Sequence, residues 1–375
     1  MSLSDPRRIL ARGLSAATDP ADALREALNS LCADLARQGA APGDILRIDF
    51  HARRPEAFSL SRRVIDLAWR EVLGGLRRPI LCHQGDQILM LEAHADVQPA
   101  RETPHIWRGM NMPELARAYS PRLQADMRAV FAKWNEEGAA FRADQSGLDL
   151  RYGPTRDEVL DFYPAQRRNA PLWVFMHGGY WQACTKDQHG QFAEGMLRNG
   201  FAVANLDYGL APEASLAEIV VQVRHALQFL IKHAAALGFD PAQIHLAGHS
   251  AGAHLAAMAA IDPHGPAIAS ALLLSGVFDL EPLFHLPMGR IIGLDSRNWQ
   301  ALSPAFSPPP KVQLGLAVGA LETDEFKRQS ADMAARWGAP TPLYPENCNH
   351  FSLLEGLRDA GPLLDLAVRT AAAQS

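Results

Sequence analysis

The chain of 375 residues is long for a single hydrophobic core, and this length predicts two domains. Hydrophobic residues make up 48% and charged residues 21%, which are ordinary values for a globular protein. A net charge of −5, without a long block of Lys or Arg, argues against a nucleic-acid partner. The longest apolar-rich run, around residues 251–261, is too short to span a bilayer, so we expect no membrane partner.

The compartment is indicated by the N-terminal stretch and the cysteines. The stretch "MSLSDPRR" is polar and lacks the apolar run of a signal peptide. Cys32, Cys82, Cys184 and Cys348 are scattered and form no C-x-x-C pair, which argues against a disulfide framework or structural zinc. These features predict a cytoplasmic protein.

Residues 1–98 are predicted to form a small α+β domain. Leu24, Leu28, Leu31 and Leu35 recur at helical spacing after an Asp-Pro start, and Gly39 ends that helix. Two helices packed on a small sheet are the simplest arrangement for such a pattern. The predicted elements are a strand at 8–14, a helix from 20 to 38, a strand at 44–50, a helix at 60–72 and a strand at 87–95.

Residues 99–375 are predicted to form a second, α/β domain. A Pro-rich stretch at 97–108 marks the boundary, and a helical stretch at 123–141 leads into the domain. Short apolar strands then alternate with helices, which predicts a mostly parallel sheet with helices on both faces. The stretch 281–310 is rich in Pro and long apolar side chains, and we interpret it as a cap over a pocket. The predicted strands lie at 171–176, 201–208, 243–248, 271–276 and 312–319, with a long helix at 215–238.

The motif "GHSAG" at 248–252 fits the G-x-S-x-G pattern of a nucleophile elbow. It follows the apolar strand "QIHLA" and opens the helix "AGAHLAAMAAI", which is the strand–turn–helix context that such an elbow requires. We expect Ser250 to be an exposed nucleophile and the N–H of Ala251 to point toward a bound substrate.

A serine hydroxyl needs a base, and elbow hydrolases supply an acid and then a histidine downstream. Four histidines follow Ser250, namely His254, His264, His285 and His350. His350 is the predicted base because it lies in a loop after a late strand. Glu322 is the predicted acid because it follows the strand that ends near Gly319. Asp324 is the main alternative, and Asp279 is a weaker one.

The stretch "HGGYW" follows the strand "PLWVFM" and resembles the Gly-rich loop that supplies oxyanion-hole donors. We predict that the N–H groups of Gly178 and Gly179, together with those of Tyr180 and Ala251, stabilise an oxyanion. His177 is expected to order the loop. Aromatic side chains are predicted to line the substrate pocket: Tyr180, Trp181 and Phe284, with Trp299 nearby.

Motifs for cofactors do not occur in the sequence. It contains no H-E-x-x-H, no phosphate-binding G-x-x-x-x-G-K-[ST] and no G-x-G-x-x-G. The fourteen histidines are dispersed, so we predict neither a metal nor another cofactor.

Four segments of the second domain resemble the arylformamidase (kynurenine formamidase) branch of the α/β-hydrolases. They are "HGGYW", "GHSAGAHL", "VGALETDEFKRQS" and "NHFSLLE", with similar lead-ins "MPELARAYSPR" and "LRYGPTRDEVLDFYP". The resemblance covers roughly 110–375. It implies a metal-free serine hydrolase that cleaves an N-formyl arylamine or a related small amide or ester. It also implies a triad of Ser250, Glu322 and His350, although relatives usually carry Asp at the acid position.

The first domain resembles, more faintly, the Rid-type enamine/imine deaminases, from "ADALREALNS" to "QILMLEAHA". Members of that family form trimers, with a functional arginine before the last strand. Cys82 occupies that position here, and Arg77 and Arg78 are out of register. We therefore expect a structural, ligand-sensing or oligomerising domain, and a homo-oligomeric protein.

Three functional hypotheses follow. The first is a serine hydrolase acting on a small acyl amide or ester of an aromatic or other small molecule, with a general carboxylesterase as its variant. The second is a bifunctional protein in which the first domain deaminates an imine or enamine. The third is a non-catalytic binding protein, which the complete Ser/Glu/His set argues against.

Overall fold

The computed structural model describes residues 7–15, 20–38, 45–52, 80–84, 89–97 and 105–372. The chain divides into two compact units, Met1–Pro104 and His105–Ser375, so the division falls inside the Pro-rich stretch at 97–108. None of the helices within the described ranges combines the length and the apolar character that a bilayer crossing requires.

The described residues of the first unit form a four-stranded sheet with a helix packed on it. Its elements are β1 (Arg7–Ser15), α1 (Pro20–Arg37), β2 (Ile45–Ala52), β3 (Ile80–Gln84) and β4 (Leu89–Val97). The strand order is β1-β4-β2-β3, with β4 antiparallel to both β1 and β2, and β3 parallel to β2. The four leucines of α1 at helical spacing are all fully buried. The sequence did not predict β3, which contains Cys82, and the predicted helix at 60–72 lies outside the described residues.

The second unit contains a seven-stranded sheet and the helices that cover it. Its strands are β5 (Leu150–Arg151), β6 (Val159–Tyr163), β7 (Ala170–Met176), β8 (Ala202–Leu206), β9 (Phe239–His249), β10 (Ser270–Leu274) and β11 (Gln313–Ala317). Its helices are α2 (Met112–Ala118), α3 (Met127–Ala143), α4 (Glu194–Arg198), α5 (Leu216–Leu237), α6 (Ala251–Ala260), α7 (Glu281–His285), α8 (Pro287–Ile291), α9 (Asp324–Trp337) and α10 (Pro362–Ala372).

The strand order of this sheet is β11-β10-β9-β7-β8-β6-β5. Strands β7 through β11 are parallel to one another. In contrast, β6 runs antiparallel to β8, and β5 runs antiparallel to β6. The predicted mostly parallel sheet is therefore confirmed, and the five predicted strands correspond to β7 through β11. The antiparallel strands β5 and β6 were not predicted.

Helix α5 shows how the sequence determines these elements. Ser215 and Glu218 form a capping box at its start, and Gly238 ends it with a left-handed φ of 84°. Ile219, Val223 and other apolar side chains on one face are buried against the sheet. In contrast, α6 is buried on nearly all sides, which suits its small apolar residues.

The predicted cap at 281–310 contains α7, α8 and a short 3-10 turn at Pro304–Phe306. Leu283 and Ile292 from this stretch are fully buried in the main core of the unit. The N–H of Leu216, at the start of α5, donates to the carbonyl of Ile292 at 2.9 Å. The stretch is therefore packed onto the helical layer through both side-chain and backbone contacts.

Candidate active site

The carboxyl ends of four neighbouring strands meet at one edge of the sheet. Met176 of β7 pairs with Gly248 of β9, and His249 of β9 pairs with Leu274 of β10. Leu274 in turn pairs with Ala317, the last residue of β11. The loops that follow these strands therefore begin side by side, at the edge where open α/β sheets place their ligands.

Ser250 occupies a strained turn between β9 and α6. Its φ of 56° and ψ of −117° lie outside the regions that L-residues favour. The expectation of an exposed nucleophile was wrong: Ser250 is only 2% exposed, because the loop after β7 packs directly against it. A Cβ at Gly248 would lie 2.1 Å from the carbonyl oxygen of Gly252, and one at Gly252 would lie 2.0 Å from that of Met176. Only glycine fits at either position, so the motif is required by the backbone of the turn.

Glu322 and His350 form a buried pair near this turn. His350 Nδ1–H donates to Glu322 Oε2 at 2.6 Å, and both side chains are at most 3% exposed. The other carboxylate oxygen, Oε1, accepts from Ser275 Oγ at 2.5 Å and from the N–H of Gly319 at 2.8 Å. The carboxylate is therefore fixed by three donors, and it holds the proton of His350 on Nδ1.

The two alternative acids are placed elsewhere. Asp324 is fully exposed and pairs with Lys327 Nζ at 3.0 Å on the first turn of α9. The carboxylate of Asp279 accepts from the N–H of Glu281 at 3.0 Å, and burial raises its pKa. Of the three candidate acids, Glu322 is the one that contacts the imidazole of His350.

The other histidines that follow Ser250 have different partners. His254 Nε2–H donates to the carbonyl of Leu302 at 2.7 Å, and burial lowers the pKa of His254 to about 4. His285 lies 4.0 Å from Glu281, and His264 is exposed. Across the described residues, no three His, Cys, Asp or Glu side chains are grouped so that they could hold a metal ion.

The glycines of the "HGGYW" loop bring its backbone against Ser250. A Cβ at Gly178 would lie 3.1 Å from the Cβ of Ser250, so the loop and the turn are in direct contact. Gly179 has a φ of 103°, and a Cβ there would lie 2.1 Å from the carbonyl oxygen of Ala183. Within the described residues, the N–H groups of both glycines donate to no protein acceptor. Both N–H groups therefore remain available as hydrogen-bond donors.

His177 orders this loop, as the sequence predicted. Its Nδ1–H donates to the carbonyl of Gly178 at 2.8 Å, and its ring stacks on Tyr208 with centroids 4.4 Å apart. The hydroxyl of Tyr208 donates to the carbonyl of His177 at 2.6 Å. The fully buried ring is therefore part of the support of the loop.

The predicted pocket aromatics have three different environments. Tyr180 is partly buried, and its hydroxyl donates to the backbone carbonyl of Tyr119 at 2.6 Å. Trp181 is 0% exposed and packs edge-on against His254, so it lies behind the loop and presents no surface to a ligand. Phe284 is partly buried and stacks on Trp299 with centroids 6.5 Å apart.

Sequence reasoning missed Ser275, Tyr119 and His249. Ser275 follows β10 with a φ of 50° and bonds Glu322, and no motif marks it. Tyr119 joins the lead-in segment to the loop through its carbonyl and to Glu325 Oε2 through its hydroxyl at 2.8 Å. His249 stands at the variable position of the elbow motif, and its ring bonds the backbone of His350.

The sheet and the elbow are those of the α/β-hydrolases. An esterase from Pyrobaculum calidifontis shares the fold at a TM-score of 0.52 and 19% identity, over 66% of this chain and 94% of its own. The BD-FAE family matches residues 160–271, the part that carries the glycine loop and the elbow.

Full-length relatives define the particular family. The kynurenine formamidase of Danio rerio is 31% identical over 283 residues, which are 69% of this chain and 95% of the relative. That of Salmo salar is 30% identical over 280 residues. A candidate thioesterase from Silicibacter sp. TM1040 is 30% identical at a TM-score of 0.62, over 67% of this chain and 98% of its own. The chain belongs to the kynurenine formamidase family and is a serine hydrolase of the arylformamidase-like or carboxylesterase type.

Proposed function

We propose that Ser250, His350 and Glu322 form the catalytic triad of this hydrolase. The observation that carries the proposal is the buried bond of 2.6 Å between His350 Nδ1 and Glu322. This bond leaves Nε2 as the ring nitrogen that can accept a proton. The strained turn supplies the nucleophile, and the residue before it bonds the backbone of His350 at 2.8 Å.

We further propose that backbone N–H groups of two loops form the oxyanion hole. Ala251 is the first residue of α6, so its N–H has no acceptor within the helix. Gly178 and Gly179 offer two more donors without protein acceptors among the described residues. Tyr180 continues the same loop with a φ of 53°. Donors fixed in this way stabilise the charge that develops in the transition state.

The reaction follows from these roles. His350 Nε2 takes the proton of Ser250 Oγ as the oxygen attacks the acyl carbon, and the carbonyl oxygen becomes the oxyanion. The imidazolium then protonates the leaving amine or alcohol, and the bond to the acyl carbon breaks. Water, deprotonated by the same imidazole, attacks the acyl-enzyme and releases the acid and free Ser250. Glu322 stabilises the imidazolium in both halves.

The proposed substrate is a small acyl amide or ester, formyl- or acetyl-like, of an aromatic or other small molecule. The full-length relatives named kynurenine formamidase support a formyl amide of an arylamine. Tyr180 and Phe284 are the aromatic side chains available to a pocket, with Trp181 as support behind the loop.

A general carboxylesterase is the second candidate. It is supported by a local match of 32% identity over 126 residues to the esterase LipQ of Mycobacterium tuberculosis. A panel of formyl, acetyl and longer acyl anilides and esters, ranked by kcat/KM, separates the two. Preference for acyl groups of one or two carbons on anilides supports the formamidase-like substrate. Preference for longer esters supports the esterase.

The first unit is proposed to be structural or oligomerising and to make the protein a homo-oligomer, with a trimer as the expected size.

The scattered thiols support a cytoplasmic location, and Cys32, Cys184 and Cys348 are free in the structure. The bifunctional alternative has a direct test. Ammonia release from a 2-imino acid by the full-length Ser250→Ala variant would establish a deaminase in the first unit.

The proposed triad is tested by Ser250→Ala, with the exposed Ser296→Ala as its matched control. Loss of a triad nucleophile costs about a millionfold in kcat, so turnover of p-nitrophenyl acetate and N-formyl arylamines should fall to background. Labelling by a fluorophosphonate should disappear in the same variant and persist in the control. Unchanged turnover in Ser250→Ala would refute the proposal.

A further inference from the structure

His249 links the nucleophile turn to the base. It is the last residue of β9, directly before Ser250, and it is 3% exposed. Its Nε2 lies 2.8 Å from the backbone carbonyl oxygen of His350. The two imidazole rings are in contact, with centroids 4.5 Å apart and planes tilted by 49°. His249 is therefore joined to Ser250 along the chain and to His350, the proposed base, through its side chain.

The partner of Nε2 fixes the tautomer of His249. A carbonyl oxygen only accepts hydrogen bonds, so Nε2 must carry the proton and donate it. Nδ1 then carries the lone pair, and a Cβ at Gly178 would lie 3.0 Å from this nitrogen. The same ring thus packs against the oxyanion loop on its Nδ1 side and holds the base loop on its Nε2 side.

His249 remains neutral while the proton moves between Ser250 and His350. Burial lowers its pKa well below the usual value, and the neighbouring His350 and His189 lower it further. A charged His249 would repel the imidazolium that forms on His350. A neutral ring keeps its donor without this repulsion, so it can hold the base loop throughout the reaction.

We propose that His249 is a positioning residue that sets the distance between Ser250 and His350 through its bond to the His350 backbone. This inference rests on the proposed function, because it assumes that Ser250 and His350 react together. The bond acts on the base loop and touches no reacting atom. Its loss should slow the chemical step and leave substrate binding almost unchanged.

The test compares His249→Phe with His249→Gln. Phenylalanine keeps a flat ring but has no donor, whereas the glutamine Nε2–H2 group can reach the same carbonyl. We expect His249→Phe to lower kcat about 10- to 100-fold with KM within about twofold, as for other small misplacements of reacting groups. Fluorophosphonate labelling, which reports the reactivity of Ser250, should slow by a similar factor. His249→Gln should recover most of both losses.

His245→Phe is the matched control. His245 lies four residues earlier on β9, is also buried, and bonds Ser270 Oγ at 2.9 Å instead of His350. It should keep kcat near that of the unchanged protein. If His249→Phe does not fold, His249→Asn replaces it, since the shorter amide cannot reach the carbonyl.

Three results would overturn the inference. They are equal losses in His249→Phe and His245→Phe, no recovery in His249→Gln, or an unchanged labelling rate in His249→Phe. Loss of turnover in Ser250→Ala together with full activity in His249→Phe overturns this inference alone. Full activity in Ser250→Ala overturns the proposed function and this inference with it.

Discussion

The two groups of loops that meet at Ser250 present different chemical groups. On the side proposed for proton transfer, Glu322 and His350 present ionisable side chains, and their bond of 2.6 Å is buried. On the side proposed as the oxyanion hole, the loop after β7 presents backbone N–H groups, and its own His177 bonds the carbonyl of Gly178. The proton-transfer side thus depends on the identity of side chains, and the oxyanion side on the shape of the backbone.

This difference predicts which substitutions each side tolerates. A change of charge with little change in shape should disable the first side. A single added methyl group, with no change in charge, should disable the second. The substitutions below test that contrast in order of decreasing effect.

Among the substitutions that compare the two sides, Glu322→Gln has the largest expected effect. The amide keeps the volume of the side chain but no longer stabilises an imidazolium and can present a donor to Nδ1, which selects the wrong tautomer. The corresponding change in a well-studied triad costs about ten-thousandfold in kcat, and we expect about a thousandfold or more here. Steady-state kinetics with an N-formyl arylamine measures the effect.

Asp324→Asn is the control for that substitution, because Asp324 lies two residues further on, at the start of α9, and is fully exposed. Its kcat should stay within about twofold, as expected for a solvated carboxylate. A collapse of activity in Asp324→Asn, with little change in Glu322→Gln, would exchange the roles of the two acids.

Gly178→Ala should give the second largest effect. The added Cβ would lie 3.1 Å from the Cβ of Ser250 and 3.0 Å from His249 Nδ1, so the loop must move back by a few tenths of an ångström. Because oxyanion donors act only at close range, we expect kcat to fall about 10- to 100-fold. Binding of the ground-state substrate should change less, which a comparison of kcat with KM measures.

Gly361→Ala is the control for the glycine substitution. A Cβ at Gly361 meets no atom within 4 Å, so both activity and stability should be retained. Equal kinetics for Gly178→Ala and the unchanged protein would show that the loop does not supply the oxyanion donors.

The contrast between the two sides also explains what the sequence could predict. Ser250 and His350 were predicted because a motif and a chain order mark them. Glu322 was preferred, but Asp324 remained the main alternative, since counting residues after a strand does not tell which side chain turns inward. That choice depends on Ser275 and Gly319, which bond the Glu322 carboxylate from other loops.

The sequence predicted less of the structure of the oxyanion side. Gly179, Tyr180 and Trp181 have successive φ values of 103°, 53° and 56°. Two of these residues are not glycine, so propensity gives no warning of a left-handed turn. This turn accompanies the burial of Trp181, which the sequence placed in the pocket.

Strand β6 was missed because Asp161 interrupts its apolar pattern, and that charge is buried against Arg142 and Lys186.

Tyr180→Phe tests how the oxyanion loop is held, with a smaller expected effect. The variant loses the bond from the hydroxyl to the Tyr119 carbonyl, which is 2.6 Å long. An unsatisfied carbonyl costs about 1–3 kcal/mol of stability, and a looser loop should lower kcat/KM only about three- to tenfold. Urea denaturation and kinetics measure the two effects. Tyr344→Phe, at an exposed tyrosine, should change neither stability nor kcat/KM. An equal result for both variants would show that the bond to the Tyr119 carbonyl does not hold the loop.

The smallest expected effect is a pH dependence of stability that arises from buried histidines outside the proposed reaction. Burial lowers the pKa of His189 to about 3 and that of His254 to about 4, and the neighbouring His177 lowers the pKa of His189 further. Below about pH 6.5 the unfolded chain binds protons at these residues and the folded chain does not. The free energy of unfolding should therefore fall as pH drops from about 6.5 to 5, above the range in which most carboxylates titrate.

His254→Gln isolates one of these residues. The glutamine keeps a donor for the Leu302 carbonyl, which His254 Nε2 bonds at 2.7 Å, but it has no group that titrates. The slope of unfolding free energy against pH should decrease by about one proton, or about 1.4 kcal/mol per pH unit at most. Urea denaturation at several values between pH 5 and 7 measures this slope. An unchanged slope would mean that His254 takes up its proton in the folded state. That outcome would remove the separation between neutral supporting histidines and the single histidine, His350, that is proposed to carry the proton.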